Sequence, residues 1–215
     1  MGLVHTPRVI YSCGRGLWRR FRSKGTWNPG HGVGPQHAHI YRARVGLFDI
    51  DYVGHMNNAA YLSHAEFARW EMGAESGMLQ KMAKDKIFFI LAGNFLRYRK
   101  EISPLFRSFV VETYISAIDE RNLWFSHNFR YSETDRMLAE ILVQCVVVRG
   151  GKVLNPGEFL VQECGYDEDL IQSVTWPDGD KVSHSDLLRN YRKLDDTMRM
   201  IAAEDDVVHK DVKQK

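Results

Sequence analysis

From residue 39 to 48 apolar and polar positions alternate, and aromatic and β-branched side chains are frequent, which predicts a first strand. The period then changes. Tyr61, Ala65, Ala68 and Met72 recur at helical spacing, with Leu62 and Arg69 on the flanks. The helix they predict starts near Asn58, because Asn is a favoured N-cap. Small side chains at Ala59, Ala60, Ala65 and Ala68 suit close packing against a sheet. Gly73 and Gly77 loosen the helix end, and residues 78–84 form a short amphipathic continuation. Strand patterns dominate from there. They cover 87–101, interrupted at Gly93 and stopped before Pro104, then 109–118, 123–131 and 137–149. The last is the most apolar and ends at Gly150-Gly151; turns fall at 119–122 and 132–136. One strand, one helix and four strands, without βαβ alternation, predict an α+β fold in which a helix packs on an antiparallel sheet.

The two ends break this pattern. No acidic residue precedes Asp49, yet Arg8, Arg15, Arg19, Arg20, Arg22, Lys24, Arg42 and Arg44 all do. Leu3, Val4, Val9, Ile10, Leu17, Trp18 and Phe21 interleave with them. An Arg-rich, acid-poor, partly amphipathic start fits a mitochondrial transit segment, and also a disordered basic tail. The expected location is therefore mitochondrial, otherwise cytoplasmic. Met1-Gly2 with Thr6 fits a loose myristoylation pattern, against which Pro7 counts. Residues 25–37, rich in Gly and Pro, read as a linker or extended arm. Near the other end, Ser183 with Asp186 three residues on resembles a helix start. Leu187, Tyr191, Leu194, Met198 and Ile201 then recur at heptad-like spacing, on a helix that packs on its own domain or on a partner subunit. Residues 204–215 read as a solvated tail. The expected organisation is a basic extension (1–37), one domain (38–160) and a helical C-terminal extension (161–215).

Bulk properties narrow the chemistry. A net charge of +2 over 215 residues offers no field for nucleic acid. The longest apolar runs, such as 141–148, are too short to span a bilayer, so no transmembrane segment is expected. Cys13, Cys145 and Cys164 show neither metal spacing nor a paired framework, which fits a reducing compartment. No His/Cys cluster has ligand spacing and no phosphate loop occurs, so neither metal nor cofactor is expected.

Residues 48–71 carry the chemistry. Asp49 and Asp51 share a turn-forming stretch with Gly54 and His55, and Asn57 and Asn58 follow just before the helix. A helix N-terminus offers unpaired N–H groups and partial positive charge. A carboxylate base or nucleophile beside such an oxyanion site is what acyl transfer requires. The run Asp49-x-Asp51-x-x-Gly54-His55-Met56-Asn57-Asn58-x-x-Tyr61-Leu62, with Glu66 and Arg69, resembles the signature of hotdog-fold thioesterases of the 4-hydroxybenzoyl-CoA type. Residues 97–106 look like the strand that follows the helix in that family, and weaker similarity runs to about residue 160. The resemblance implies one long helix wrapped by a curved antiparallel sheet. It implies hydrolysis of an acyl thioester, an acyl-CoA first of all, by a homodimer or homotetramer.

It also assigns roles. Asp51 takes the position of the family's catalytic carboxylate; by itself it also reads as an Asx-turn residue. Asp49 reads as structural. His55 either orients the thioester or holds the loop. Asn58 caps the helix and Asn57 fixes the turn, and both can order an attacking water. Gly54, Asn57 and Tyr61 are expected to contact the substrate, Tyr61 through its backbone N–H. Glu66 is a second candidate acid, or pairs with Arg69. Plant acyl-carrier-protein thioesterases have an Asn where this chain has Val53, so their catalytic arrangement does not carry over. Arg97, Arg99, Lys100 and Arg107, with Arg130 on a later strand, suit CoA phosphates or protect a sheet edge. Phe88, Phe89, Leu91, Phe95, Trp124, Phe125 and Phe129 are candidates to line an acyl tunnel. The rival readings are a hotdog module that binds acyl-CoA or a protein without turnover, and a hydratase on the same fold.

Overall fold

The computed structural model describes residues 2–23 and 28–175. Residues 177–215 form a second compact unit, in which Asn190, Lys193, Leu194, Asp196, Thr197 and Met200 are described, each helical. Leu187, Tyr191, Met198 and Ile201 of the heptad-like pattern lie outside the described residues.

In the first unit, strand β1 (His39–Arg44) precedes the long helix α2 (Asn58–Ser76) and the shorter α3 (Met78–Asp85). Strands β2 (Ile87–Tyr98), β3 (Ser108–Ile118), β4 (Asn122–Tyr131) and β5 (Met137–Arg149) follow. They form a curved antiparallel sheet in the order β1-β3-β4-β5-β2. This is the α+β architecture that the pattern predicts and the hotdog arrangement that the resemblance implies. The strands end where local chemistry stops them. β1 ends at Arg44, short of the predicted 48, because Gly46 N–H turns to the Asp49 carboxylate. β2 carries a bulge between Leu91 and Gly93, where the sequence shows its interruption. The Asp119 carboxylate receives the Arg121 and Asn122 N–H groups and makes the β3–β4 turn. Gly150 and Gly151 are not a terminus. Both have positive φ and turn the chain back, so that β6 (Lys152–Leu154) pairs with β5. Two short helices, α4 (Pro156–Glu158) and α5 (Glu168–Val174), close the unit.

The predicted apolar face of α2 lies in the core: Tyr61, Ala65, Ala68 and Met72 are buried with Phe109, Ile115, Phe125 and Phe129 of the sheet. The opposite face is buried too, including His64 and Glu71. What covers it is the segment expected as a disordered basic tail or a targeting extension. Residues Gly2–Arg22 form a helix, α1, packed along α2. Ser12 and Gly16 face α2, whereas Ile10, Tyr11, Leu17, Trp18 and Phe21 face outward and are exposed. The arginines point the other way: Arg15 and Arg19 reach Glu71, and Arg20 donates to the Glu75 carbonyl. The helices approach closely at Gly16, where a Cβ would stand 2.3 Å from the Glu71 carbonyl oxygen and 2.8 Å from Ala74 Cβ. At Gly14 a Cβ would meet nothing within 4 Å.

These two glycines test the docking of α1. Replacing a helical Gly by Ala in open space stabilises by roughly 0.5–1 kcal/mol. Gly14→Ala should do so, whereas Gly16→Ala should cost about 1–3 kcal/mol by forcing the helices apart. Urea unfolding of both variants reads the difference; an undocked helix would respond alike at both positions.

Candidate active site

The motif forms a tight loop between β1 and α2. Asp51 Oδ1 accepts the N–H of Val53 at 2.9 Å and of His55 at 3.1 Å, and Asp51 N–H donates to the His55 carbonyl. The loop needs Gly54, whose φ is +83°. Asp51 and His55 are half-buried, and Tyr52 and Val53 between them are exposed. Asp51 therefore holds the Asx-turn geometry, and its carboxyl group is fixed by backbone donors a few residues before α2.

Asn57, not Asn58, caps α2. Its side-chain oxygen accepts Ala60 N–H at 2.9 Å, and its Nδ2 donates to the Asp49 carbonyl at 3.0 Å. One residue thus closes the loop and starts the helix. Asn58 is the first helical residue and is exposed. The N–H groups of Asn58 and Ala59 have no acceptor within the helix, and they mark the candidate oxyanion site. Tyr61 anchors a second segment: its hydroxyl accepts Ile102 N–H at 3.2 Å, while Ile102 carbonyl accepts Met56 N–H.

Asp49 is 1% exposed and sits in a network of its own. Arg8 of α1 donates to both carboxylate oxygens, at 2.7 and 3.2 Å, and His64 Nε2 lies 3.1 Å from Oδ2. Tyr41 hydroxyl is 3.4 Å from the other ring nitrogen of His64. His64 Nε2 faces both the Asp49 carboxylate and Arg8 Nη2, each at 3.1 Å, and in the Nε2–H tautomer it donates to Asp49 while Nδ1 accepts from Tyr41. Burial raises the Asp49 pKa, but the His64 and Arg8 hydrogen bonds outweigh it and hold the carboxyl well below its ordinary range. Burial lowers the pKa of His64, outweighing the Asp49 contact that raises it. Asp49 is thus committed to Arg8, His64 and the Gly46 N–H. The sequence reading missed Arg8, Tyr41 and His64; the one signal available was His64, three residues after Tyr61 on a helix read as one-faced.

The remaining candidates are dispersed. Glu66 receives Trp70 Nε1–H and lies 3.1 Å from His5 Nε2. Arg69 does not pair with it through a hydrogen bond but lies 3.0 Å from His127 Nε2. Glu66 and Arg69, with Trp70, Phe88, Phe89, Leu91 and Phe125, line a cavity of about 620 Å³ between α2, α3 and the sheet. Four of the seven proposed tunnel residues are therefore there; Phe95, Trp124 and Phe129 are not. Arg99 pairs with Glu140 and Arg107 with Glu133, while Arg97 is exposed on β2. Arg130 pairs with Glu112 across β3 and β4. Three cations expected to meet phosphate, Arg99, Arg107 and Arg130, are thus held by carboxylates.

Fold and motif define a member of the hotdog class, and the comparisons name the family. A profile of the thioesterase-like superfamily matches residues 45–179, and the chain belongs to that superfamily. It is 30% identical over 121 residues to Protein THEM6 of Danio rerio, spanning 56% of this chain and 59% of the fish protein. It is also 30% identical over 143 residues to Protein THEM6 of Xenopus laevis, spanning 65% and 69%. The chain thus spans less than two thirds of the first of these relatives. In fold it is similar to a probable thioesterase, YbaW, from Escherichia coli, with a TM-score of 0.55 at 21% identity over 62% of this chain and 98% of that one. It is similar also to a 1,4-dihydroxy-2-naphthoyl-CoA thioesterase from Synechocystis, with a TM-score of 0.52 at 14% identity over 59% and 96%.

The buried network sets a pH dependence. Asp49 has a folded-state pKa below its unfolded value of about 4, so its stabilisation is complete above that pH and is lost below it. His64 also titrates lower when folded than its unfolded value of about 6.5, so stability falls as pH drops through that value. His127, buried beside Arg69, acts in the same direction. Urea midpoints from about pH 8 down to about pH 3 should fall in two stages. In His64→Gln the upper stage should become shallower; an unchanged profile would remove His64 from the linkage.

Proposed function

We propose that this chain hydrolyses an acyl thioester, most directly an acyl-CoA, with Asp51 as the catalytic carboxylate. The observation that carries this reading is the loop geometry: a backbone-clamped Asp51 immediately precedes a capped helix start. With Oδ1 committed to Val53 and His55, Oδ2 is the oxygen that attacks the carbonyl or takes a proton from water. The oxyanion that forms is received by the Asn58 and Ala59 N–H groups, and loss of one such donor typically costs 10²–10³ in rate. His55 and Asn57 hold the loop. The apolar cavity beside Arg69 takes the acyl chain, and Arg97 meets a CoA phosphate. The domain that carries this activity is residues 38–160.

The assembly that fits is a homodimer, or a tetramer of such dimers. Among the described residues β2 is paired on one side only, with β5, and presents Phe88, Ile90 and Leu91 exposed on that edge strand. A long apolar edge is a ready template for a second strand. A mitochondrial destination rests on the Arg-rich, acid-free composition of residues 1–48. Among the described residues no helix is long and apolar enough to cross a membrane.

Two measurements test this. Thiol release from short, long and aromatic acyl-CoAs should be seen with the wild type and fall about a hundredfold or more in Asp51→Asn. Equal rates would move the role to Glu66, and no turnover from a folded protein on any substrate would favour a binding module. Light scattering should give a dimer or tetramer for the wild type and a folded monomer for Ile90→Lys, whose charge blocks edge pairing. A monomeric wild type would refute the interface.

A further inference from the structure

We propose that His31, His39 and Glu75 form a binding site for one divalent transition-metal ion, held apart from the Asp51 loop. Three separate elements supply the donors. His31 lies in the loop before β1, His39 is the first residue of β1, and Glu75 stands in the last turn of α2. This is why no ligand spacing is visible in the sequence.

The donor atoms converge. His31 Nε2 is 3.2 Å from His39 Nδ1, His39 Nδ1 is 3.3 Å from Glu75 Oε2, and His31 Nε2 is 3.9 Å from that same oxygen. In a tetrahedral site with bonds of about 2.0–2.1 Å, neighbouring donors stand about 3.4 Å apart. The three separations are compatible with three corners of such a site, with a fourth left for water or a small ligand.

The outer partners fit as well. His39 is 1% exposed, and its second ring nitrogen, Nε2, has no hydrogen-bond partner. That nitrogen lies 3.6 Å from Glu71 Oε1, a carboxylate that is 0% exposed. A metal-bound imidazole that presents its second N–H to a carboxylate is the usual way of fixing ring orientation and raising ligand basicity. Two imidazoles and one carboxylate favour Zn²⁺, Co²⁺ or Ni²⁺ over Mg²⁺ and Ca²⁺, which take all-oxygen cages.

Arg19 sets the strength of the site. Its Nη1 is 2.8 Å from Glu71 Oε1 and 3.3 Å from Glu75 Oε2. The guanidinium and the metal therefore compete for the same carboxylates. Removing Arg19 should tighten metal binding, an effect that a purely structural ion-pair cluster does not produce.

The test uses the full chain, stripped with chelator and titrated with Zn²⁺ and Co²⁺ by calorimetry and absorption. One ion per chain is expected, with the intense visible bands of four-coordinate Co²⁺ and a raised thermal midpoint. His31→Ala, on a loop, should abolish binding while circular dichroism shows an intact fold. Glu71→Gln should weaken binding about 10–100-fold, and Arg19→Met should strengthen it. No binding by the wild type would overturn the proposal. So would a weak six-coordinate Co²⁺ spectrum, or binding that survives both His31→Ala and Glu75→Gln.

Discussion

Helix α2 is buried on both faces, and the rest of the first unit is arranged around that constraint. One face is apolar and meets the sheet. The other carries His64 and Glu71 and lies over Asp49, groups that water would ordinarily solvate. A buried carboxylate without a counter-charge is costly, and breaking a buried pair typically costs about 3–5 kcal/mol. The solution is α1, whose arginines neutralise what α2 and the loop bury: Arg8 on Asp49, Arg15 and Arg19 on Glu71. Charge compensation, rather than apolar packing, thus decides which way α1 faces.

The same logic links the two motif carboxylates, which differ only in where they point. Asp49 turns inward, loses water and gains an arginine and an imidazole. Asp51, two residues on, stays half-solvated and is clamped by backbone N–H groups of its own loop. One is spent on holding the loop, and the other is left facing outward from it. Asn57 couples them to the helix, because it caps α2 and grips the Asp49 carbonyl at once. A change at Asp49 therefore reaches Asp51 through the position of the whole loop.

Much of the fold is legible along the chain. The strand patterns mark β3, β4 and β5 nearly to the residue, and the Tyr61–Met72 spacing marks the helix, because burial leaves a trace along the chain. What is not legible comes from two-sided burial and long-range charge. His64 and Glu71 look like solvated helix residues until α1 covers them. The basic N-terminus looks like a tail because its partners, Asp49, Glu71 and Glu75, lie far along the chain. The cap falls on Asn57 rather than Asn58 because two adjacent asparagines offer the same local chemistry, and the Asp49 carbonyl decides between them. The Asp51 loop was readable through its family motif; composition alone favours a turn residue there, and the structure shows Asp51 in that turn geometry.

The reversed polarity of α1 bears on what a cut in the chain would do. Residues 24–37 join α1 to β1, and a protease that nicks this stretch breaks one covalent bond. The Arg8–Asp49 and Arg19–Glu71 pairs and the close seat at Gly16 remain. Under native conditions the clipped helix stays with its domain as a nicked complex, and a shortened band on a denaturing gel is no sign that it has left. Cleavage and release are separate events, and release alone strips two buried carboxylates of their counter-ions.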